Sequence, residues 1–218
     1  MIIKSKPLPQ FWLNFIGYLL SIFFEKIYLN KIIIRPVEIK SDHSYILSLN
    51  HFSFADGPLG FYLAYQLFFK QGKMKQFYIM SLKTQMEKKW WLRYLGSFSV
   101  DPGKLSVNES LAYAAEILNE PGNLLLFFPQ GNLESVHIRT IQCQDGISQI
   151  VPQITGKCQL LWSSNIGEYF ESLLPSVYFN MLDCGTAEDF NFDRFKQDIN
   201  RHHRESLKKS VRFTVEED

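Results

Sequence analysis

Cysteine is scarce in this sequence, and the few that occur exclude most cysteine chemistry. Cys143, Cys158 and Cys184 are widely separated and form no C-x-x-C pair, which argues against a zinc site or a redox motif. Three is also an odd number for a disulfide framework, so we expect reduced thiols with structural roles in a cytosolic compartment. The sequence therefore predicts no metal centre.

An excess of one charge is also lacking. The chain has 23 Lys and Arg against 22 Asp and Glu, a net charge of +1. Such a balance creates no field that attracts nucleic acid, so we expect no nucleic-acid partner. Internal repeats and low-complexity tracts are absent, and 218 residues suffice for one α/β domain with a short appendage.

Aromatic residues are abundant instead, at 15% of the chain, and many lie in the apolar residues 11–29. This segment does not resemble a signal peptide, because it has no small-residue cleavage site and Pro7 and Pro9 precede it. Its uninterrupted apolar part stops near Phe24, short of the roughly 20 residues that span a bilayer. We predict that residues 1–35 form a membrane-associating segment whose helix lies among the lipid headgroups, with a buried core helix as the alternative.

From residue 36 onward, strand-like runs alternate with runs of helical spacing. We predict strands over residues 45–50, 77–81, 97–100, 123–128, 159–163 and 176–182, and helices over residues 53–70, 84–94, 105–119, 146–154 and 193–209. Repeated β-then-α units predict a single α/β domain, residues 36–218, with a mostly parallel central sheet flanked by helices. Ligands bind at the carboxyl ends of such strands, where three polar breaks fall: Asn50-His51, Asp101-Pro102 and Pro129-Gln130-Gly131.

The first of these breaks contains the best candidate for catalysis. A His that takes a proton and an Asp that orients it form the minimal general-base pair, and Asp56 follows His51 by five positions. Ser53 and Asp56 also match a helix capping box, which carries no chemistry. The two interpretations are compatible, because a carboxylate in the first turn of a helix is favoured by the helix dipole.

These blocks, in this order, resemble the glycerolipid acyltransferase family, which includes the lysophosphatidic acid and glycerol-3-phosphate acyltransferases. That family carries N-H-x4-D, then Gly-x-x-Phe-x-x-Arg, then Phe-Pro-Glu-Gly-Thr. The matching positions here are Asn50-His51-x4-Asp56, residues 96–102 and Phe128-Pro129-Gln130-Gly131-Asn132. The resemblance covers residues 45–182. It implies an O-acyltransferase that moves a fatty acyl group from acyl-CoA or an acyl carrier protein to a lipid hydroxyl, without a bound cofactor.

The resemblance also implies roles for residues. His51 would be the general base and Asp56 would orient it, so no acyl-enzyme is needed, consistent with the absence of Gly-x-Ser-x-Gly. The turn after the fourth strand would present backbone N–H groups, and Gly131 would leave room for a ligand. The implied substrate-binding set is Asn50, Phe128, Pro129, Gln130, Gly131 and Asn132.

The sequence departs from the family where phosphate is expected to bind. Pro102 occupies the Arg position of the second block, and Gln130 replaces the Glu of the third. A neutral amide can donate and accept hydrogen bonds but carries no charge. Lys104 and Arg139 are the nearest cations that could compensate. We therefore expect a lysophospholipid or another lipid alcohol as acceptor, rather than glycerol-3-phosphate.

Two other functions remain open, a catalytically inactive lipid-binding scaffold and an acyl thioesterase. For the acyltransferase we expect the membrane surface as a partner and a peripheral or monotopic position on the cytoplasmic side. Outside the motifs, His202 and His203 lie between arginines, a pattern that favours a solvated face over a metal site. Glu134 and His137 are predicted to belong to a solvated loop rather than to an acceptor cleft.

Overall fold

The computed structural model describes residues 1–170 and 172–210, and within these residues seven strands form one sheet. The strands are β1 (Lys31–Arg35), β2 (Ser44–Leu49), β3 (Gln76–Leu82), β4 (Ser97–Val100), β5 (Asn123–Phe127), β6 (Cys158–Glu168) and β7 (Ser176–Thr186). Their order is β1-β7-β6-β2-β5-β3-β4. Strands β2 to β6 are parallel, whereas β7 runs antiparallel to β6 and β1 runs parallel to β7. The predicted α/β domain with a mostly parallel sheet is confirmed.

Helices cover both faces of the sheet. One face carries α1 (Gln10–Phe23) and α2 (Asp56–Ala64), each followed by a π-helical turn, Phe24–Tyr28 and Tyr65–Phe69 respectively. The other face carries α4 (Ser106–Leu118), α5 (Gly146–Ile150) and α6 (Phe192–Lys208). Between β3 and β4 lie the short α3 (Lys83–Lys88) and a 3-10 turn, Trp90–Leu95.

The central strands are apolar on both sides because both of their faces are covered. Successive side chains of a strand point to opposite faces. Leu47 and Leu126 accordingly pack beneath α1 and α2, whereas Ile46 and Leu125 pack beneath α4 to α6. A continuous apolar run is typical of such a doubly covered strand.

The N-terminal segment is joined to the sheet. Strand β1, which lies inside the predicted residues 1–35, pairs with β7 over five residues. The N–H of Lys6 donates to the carbonyl of Arg93 (2.9 Å), and the N–H of Leu8 donates to that of Tyr94 (3.0 Å). Division of the chain after residue 35 stays a prediction, but it would cut the chain just behind a strand of the sheet. Among the described residues, no helix combines the length and apolarity needed to cross a bilayer.

Helix α1 packs on the protein through a face that includes Leu13 and Ser21, and most of its large apolar side chains face outward. Asn14 accepts a hydrogen bond from Tyr65 Oη (2.9 Å), and Ser21 accepts one from Gln66 (3.0 Å). Gly17 lies against the Tyr65 ring, where a Cβ would be 2.2 Å from the nearest ring atom. The exposed large apolar residues of α1 are Phe11, Trp12, Phe15, Tyr18, Leu19, Ile22 and Phe23. The outer face of an ordinary surface helix is polar, whereas that of α1 is apolar, and α1 is not the buried core helix of the alternative interpretation.

Candidate active site

The sheet topology brings two of the three polar breaks side by side. Strands β2 and β5 are parallel neighbours, with Ser48 level with Phe127, so the residues that follow them adjoin at the carboxyl edge. The break after β4 lies at the same edge, but β5 and β3 separate it from β2. At about 4.8 Å per strand, this lateral separation is on the order of 14 Å.

His51 and Asp56 are in direct contact. His51 Nδ1 lies 2.9 Å from Asp56 Oδ2, and the same oxygen accepts the backbone N–H groups of Phe52 (2.6 Å) and Ser53 (2.7 Å). Asp56 is 0% exposed and is the first residue of α2. Three donors and a helix N-terminus thus surround this carboxylate, an environment that stabilises negative charge.

The predicted capping box is only half present. The carboxylate of Asp56 accepts the N–H of Ser53, as a capping box requires, but Ser53 Oγ accepts the N–H of Ala55 (3.1 Å) instead of that of Asp56. Helix α2 therefore begins at Asp56, three residues after its predicted start, because the Asp56 carboxylate holds residues 52–53 in a loop.

The second ring nitrogen of His51 points away from this network. When the ionised Asp56 accepts from Nδ1–H, Nε2 carries the free lone pair. Among the described residues no group hydrogen-bonds Nε2, and the His51 side chain is 24% exposed. The imidazole stacks on the Phe128 ring, with 4.3 Å between centroids and 27° between planes. The contacts of Nδ1 and of the ring face hold the imidazole in place, and the partly exposed side chain leaves Nε2 able to accept a proton.

Gln130 and Glu134 fix the backbone of His51 from the side of β5. The N–H of His51 donates to Gln130 Oε1 (2.7 Å), and the N–H of Glu134 donates to the carbonyl of His51 (2.9 Å). Gln130 Nε2 in turn donates to the Glu134 carboxylate. Glu134, predicted as part of a solvated loop, therefore belongs to the site. Its only sequence signal is its position four residues after Gln130, next to a strand end.

Other members of the implied substrate-binding set have internal partners. Asn50 is 2% exposed and its amide exchanges two hydrogen bonds with the backbone of Asn165 (2.7 and 2.9 Å), which ties the end of β2 to β6. Gly131 has a φ of 72°, which favours glycine, and its N–H donates to the carbonyl of Phe128 (3.2 Å). That N–H is therefore not presented to a ligand, contrary to expectation. Pro129 is buried and Asn132 is exposed.

The two cations predicted to compensate for the lost Arg do not converge. Lys104, 69% exposed, pairs with Asp101 (3.2 Å) beyond β4. Arg139 is exposed and follows Ile138, whose carbonyl lies 3.0 Å from His203 Nε2 on α6. Arg139 thus lies on the α6 side of the sheet, whereas Asp56 and Phe128 lie on the α2 side.

The remaining histidines and thiols are not arranged for chemistry. His203 is 0% exposed, so its prediction as part of a solvated face was wrong; it faces the core because α6 packs on the sheet. Burial lowers the pKa of His203. Burial also raises the pKa of Cys143 to about 11 and of Cys158 to about 12, which makes both thiols poor nucleophiles at neutral pH. Within the described residues, no group of three or more His, Cys, Asp or Glu is placed to hold a metal ion.

Comparison with known proteins adds a structural likeness. No protein-family model matches the sequence, and no curated protein matches it. The crystal structure of the 1-acyl-sn-glycerophosphate (LPA) acyltransferase PlsC from Thermotoga maritima is similar, with a TM-score of 0.65 and 14% sequence identity. The match covers 94% of this chain and 83% of that one. The chain therefore shares the fold of this acyltransferase.

Proposed function

We propose that this protein is an acyltransferase that moves a fatty acyl group from an acyl thioester, of CoA or an acyl carrier protein, to the hydroxyl of a lysophospholipid. The observation that carries the proposal is the His51–Asp56 contact at the carboxyl edge, with Nε2 of His51 free and accessible. An alcohol has a pKa far above 7, so attack on a thioester needs a base, and a positioned imidazole contributes a factor of about 10²–10⁴.

The reaction proceeds through two proton transfers at one nitrogen. His51 Nε2 removes the proton of the acceptor hydroxyl as its oxygen bonds to the thioester carbonyl carbon. The resulting imidazolium is stabilised by Asp56 through Nδ1. Collapse of the tetrahedral intermediate breaks the carbon–sulfur bond, and the proton on Nε2 passes to the departing thiolate. The products are an ester and a thiol, and the base is regenerated.

The choice of a lysophospholipid as the acceptor is based on where the cationic side chains lie. Glycerol-3-phosphate is held mainly by its phosphate, which a bidentate Arg binds best. Lys104 offers a single ammonium that already pairs with Asp101, and Arg139 lies on the other side of the sheet. A lysophospholipid brings an acyl chain as a second source of binding energy, and the LPA acyltransferase with the same fold is named for such an acceptor.

The outward face of α1 supports a position at the lipid surface. Its exposed aromatic and aliphatic side chains form one apolar stripe, whereas its polar Asn14 and Ser21 bond to the π-helical turn that follows α2. A helix of this kind lies in the headgroup region with its apolar face toward the acyl chains. We place the protein on the cytoplasmic side of a membrane, peripheral or monotopic, where acyl thioesters are available as co-substrates.

Thiol release tests the proposal. Purified protein is incubated with acyl-CoA or acyl carrier protein thioester, with and without lysophospholipid, and free thiol is followed together with the lipid product. Acceptor-dependent release is expected, and His51→Ala should lower it about 10²–10⁴-fold while the protein stays folded. Release that ignores the acceptor would identify a thioesterase, and no release with any lysolipid would leave a lipid-binding scaffold. Faster acylation of glycerol-3-phosphate than of any lysolipid would overturn the acceptor assignment.

A further inference from the structure

Two neighbouring tryptophans are exposed in the connection between β3 and β4. Within residues 83–94, which make up most of this connection, Trp90 is 67% and Trp91 46% exposed. Tryptophan buries more apolar area than almost any other side chain, so an adjacent exposed pair is costly in water. Exposed aromatic pairs of this kind mark a surface that binds something.

The same connection is basic. It contains Lys83, Lys88, Lys89 and Arg93 against the single acidic Glu87, in a chain whose net charge is only +1. Lys88 and Lys89 are exposed, and no salt bridge joins either of them to a described residue. Tryptophan flanked by lysine is the composition of protein segments at a lipid headgroup layer, and basic residues are attracted there by anionic lipids.

This basic connection adjoins the start of α1. Backbone hydrogen bonds from Lys6 to Arg93 and from Leu8 to Tyr94 hold the residues that precede α1 against the 3-10 turn. Phe11 and Trp12, 71% and 46% exposed, follow within one turn of helix. The apolar stripe of α1 and the two tryptophans are thus neighbours rather than separate patches.

We propose that residues 83–94 form a second membrane-binding element, which docks on an anionic lipid bilayer together with α1, with Trp90 and Trp91 at the headgroup level. The inference rests on the proposed function only for the lipid nature of the substrate. A protein partner is disfavoured by the charge, because a basic aromatic surface with one acidic residue fits a uniform sheet of anionic headgroups. Each basic residue near such a surface strengthens binding about fivefold.

Tryptophan fluorescence distinguishes membrane binding by residues 83–94 from membrane binding by α1. The chain contains four tryptophans. Trp162 is 0% exposed and hydrogen-bonded to Ser164, so it serves as an internal reference. Trp12→Phe leaves Trp90 and Trp91 as the exposed reporters, and Trp90→Phe/Trp91→Phe leaves Trp12. Each variant is mixed with vesicles of phosphatidylcholine alone or with phosphatidylglycerol, carrying brominated acyl chains that quench nearby indoles.

Quenching of the Trp12→Phe variant by anionic vesicles is the expected result. Quenching of the Trp90→Phe/Trp91→Phe variant alone would mean that the protein docks through α1 only and would overturn the inference without touching the acyltransferase. Binding to neither vesicle would overturn the lipid assignment and point to another partner. Absence of lysolipid acylation by the wild-type protein, together with quenching by anionic vesicles, would reject the proposed function and would still support the membrane-binding element.

A charge-matched pair of variants tests the electrostatic part. Lys88→Gln/Lys89→Gln should weaken binding to anionic vesicles about 30-fold, because two basic residues leave the surface. Lys208→Gln/Lys209→Gln removes another exposed adjacent pair at the end of α6, on the face of the sheet opposite to α1. That variant should bind as the wild type does. Equal losses in the two variants would show that binding follows net charge and would overturn the assignment to residues 83–94.

Discussion

Replacing Asp56 by asparagine removes one charge from the candidate active site and leaves its shape almost unchanged. Asp56 Oδ2 accepts hydrogen bonds from His51 Nδ1 and from the N–H groups of Phe52 and Ser53. An amide oxygen can accept the same three. The NH₂ group then replaces Oδ1, which has no hydrogen-bond partner among the described residues. The two backbone N–H groups hold that oxygen toward His51, so the required tautomer is retained.

The expected loss follows from the change in hydrogen-bond type. A hydrogen bond to a charged group contributes about 1.5–3 kcal/mol, against about 0.5–1.5 kcal/mol for a neutral one. Losing about 1–2 kcal/mol of stabilisation of the His51 imidazolium corresponds to a roughly 5- to 30-fold lower kcat. This is a smaller loss than the factor of about 10²–10⁴ expected for His51→Ala, because the base itself is still present.

Steady-state thiol release with acyl-CoA and lysophospholipid measures these effects. Asp42→Asn is the matched control, since Asp42 precedes β2 at the opposite edge of the sheet. In the double variant His51→Ala/Asp56→Asn the second change should cost nothing further, because Asp56 acts through His51. A rate within twofold of wild type for Asp56→Asn, or an additive loss in the double variant, would refute the assigned role.

Two further predictions concern the turn after β5 and helix α6. Gln130→Glu puts two carboxylates in contact without a donor between them, so it should lower the Tm. Adding Glu134→Gln should restore the Tm, because the donor and the acceptor of this hydrogen bond are then exchanged. A double variant with a Tm as low as that of Gln130→Glu would contradict this prediction. Burial, with His202 and Arg204 nearby, lowers the pKa of His203, so the unfolded chain binds a proton that the folded chain does not. His203 should therefore not affect the free energy of unfolding above about pH 6.5 and should reduce it below that pH. The free energy of unfolding in urea should depend less on pH in His203→Gln than in the wild type. An equal pH dependence in the two proteins would contradict this prediction.

Much of the sheet could be predicted because its strands are short apolar runs that end at turn residues. The observed β4 matches its predicted bounds, and β2 and β5 differ by one residue. Strand β1 was missed because its three isoleucines continue the apolar N-terminal segment, although β-branched runs favour strands. The second half of β6 was missed because the polar run of Ser163, Ser164 and Asn165 is typical of a loop, so the predicted strand ended at Ser163. They are buried because they hydrogen-bond to one another, to Trp162 and to Asn50.

The candidate site could be predicted only as far as spacing along the chain determines contacts. His51 and Asp56 are five residues apart at a strand-to-helix junction, so their proximity follows from local geometry. The hydrogen bonds that join the Gln130 side chain and the Glu134 backbone to the backbone of His51 span about 80 positions, and no sequence pattern encodes contacts at that separation. The distance between the break after β4 and His51 likewise depends on strand order, which places β3 and β5 between them.

Helix α2 links the candidate chemistry to the proposed lipid surface. Its first residue is Asp56, which holds His51, and six residues later Tyr62 donates to Glu25 in the π-helical turn that follows α1 (2.9 Å). At about 1.5 Å per residue, the contact with the N-terminal helical segment begins roughly 9 Å along α2 from Asp56. Further along, Tyr65 packs on Gly17 and Gln66 bonds to Ser21. Helix α2 thus connects His51 to α1. Docking of α1 on a bilayer would therefore fix the height of His51 above the acyl chains, and it would select acceptors whose hydroxyl lies at the headgroup level.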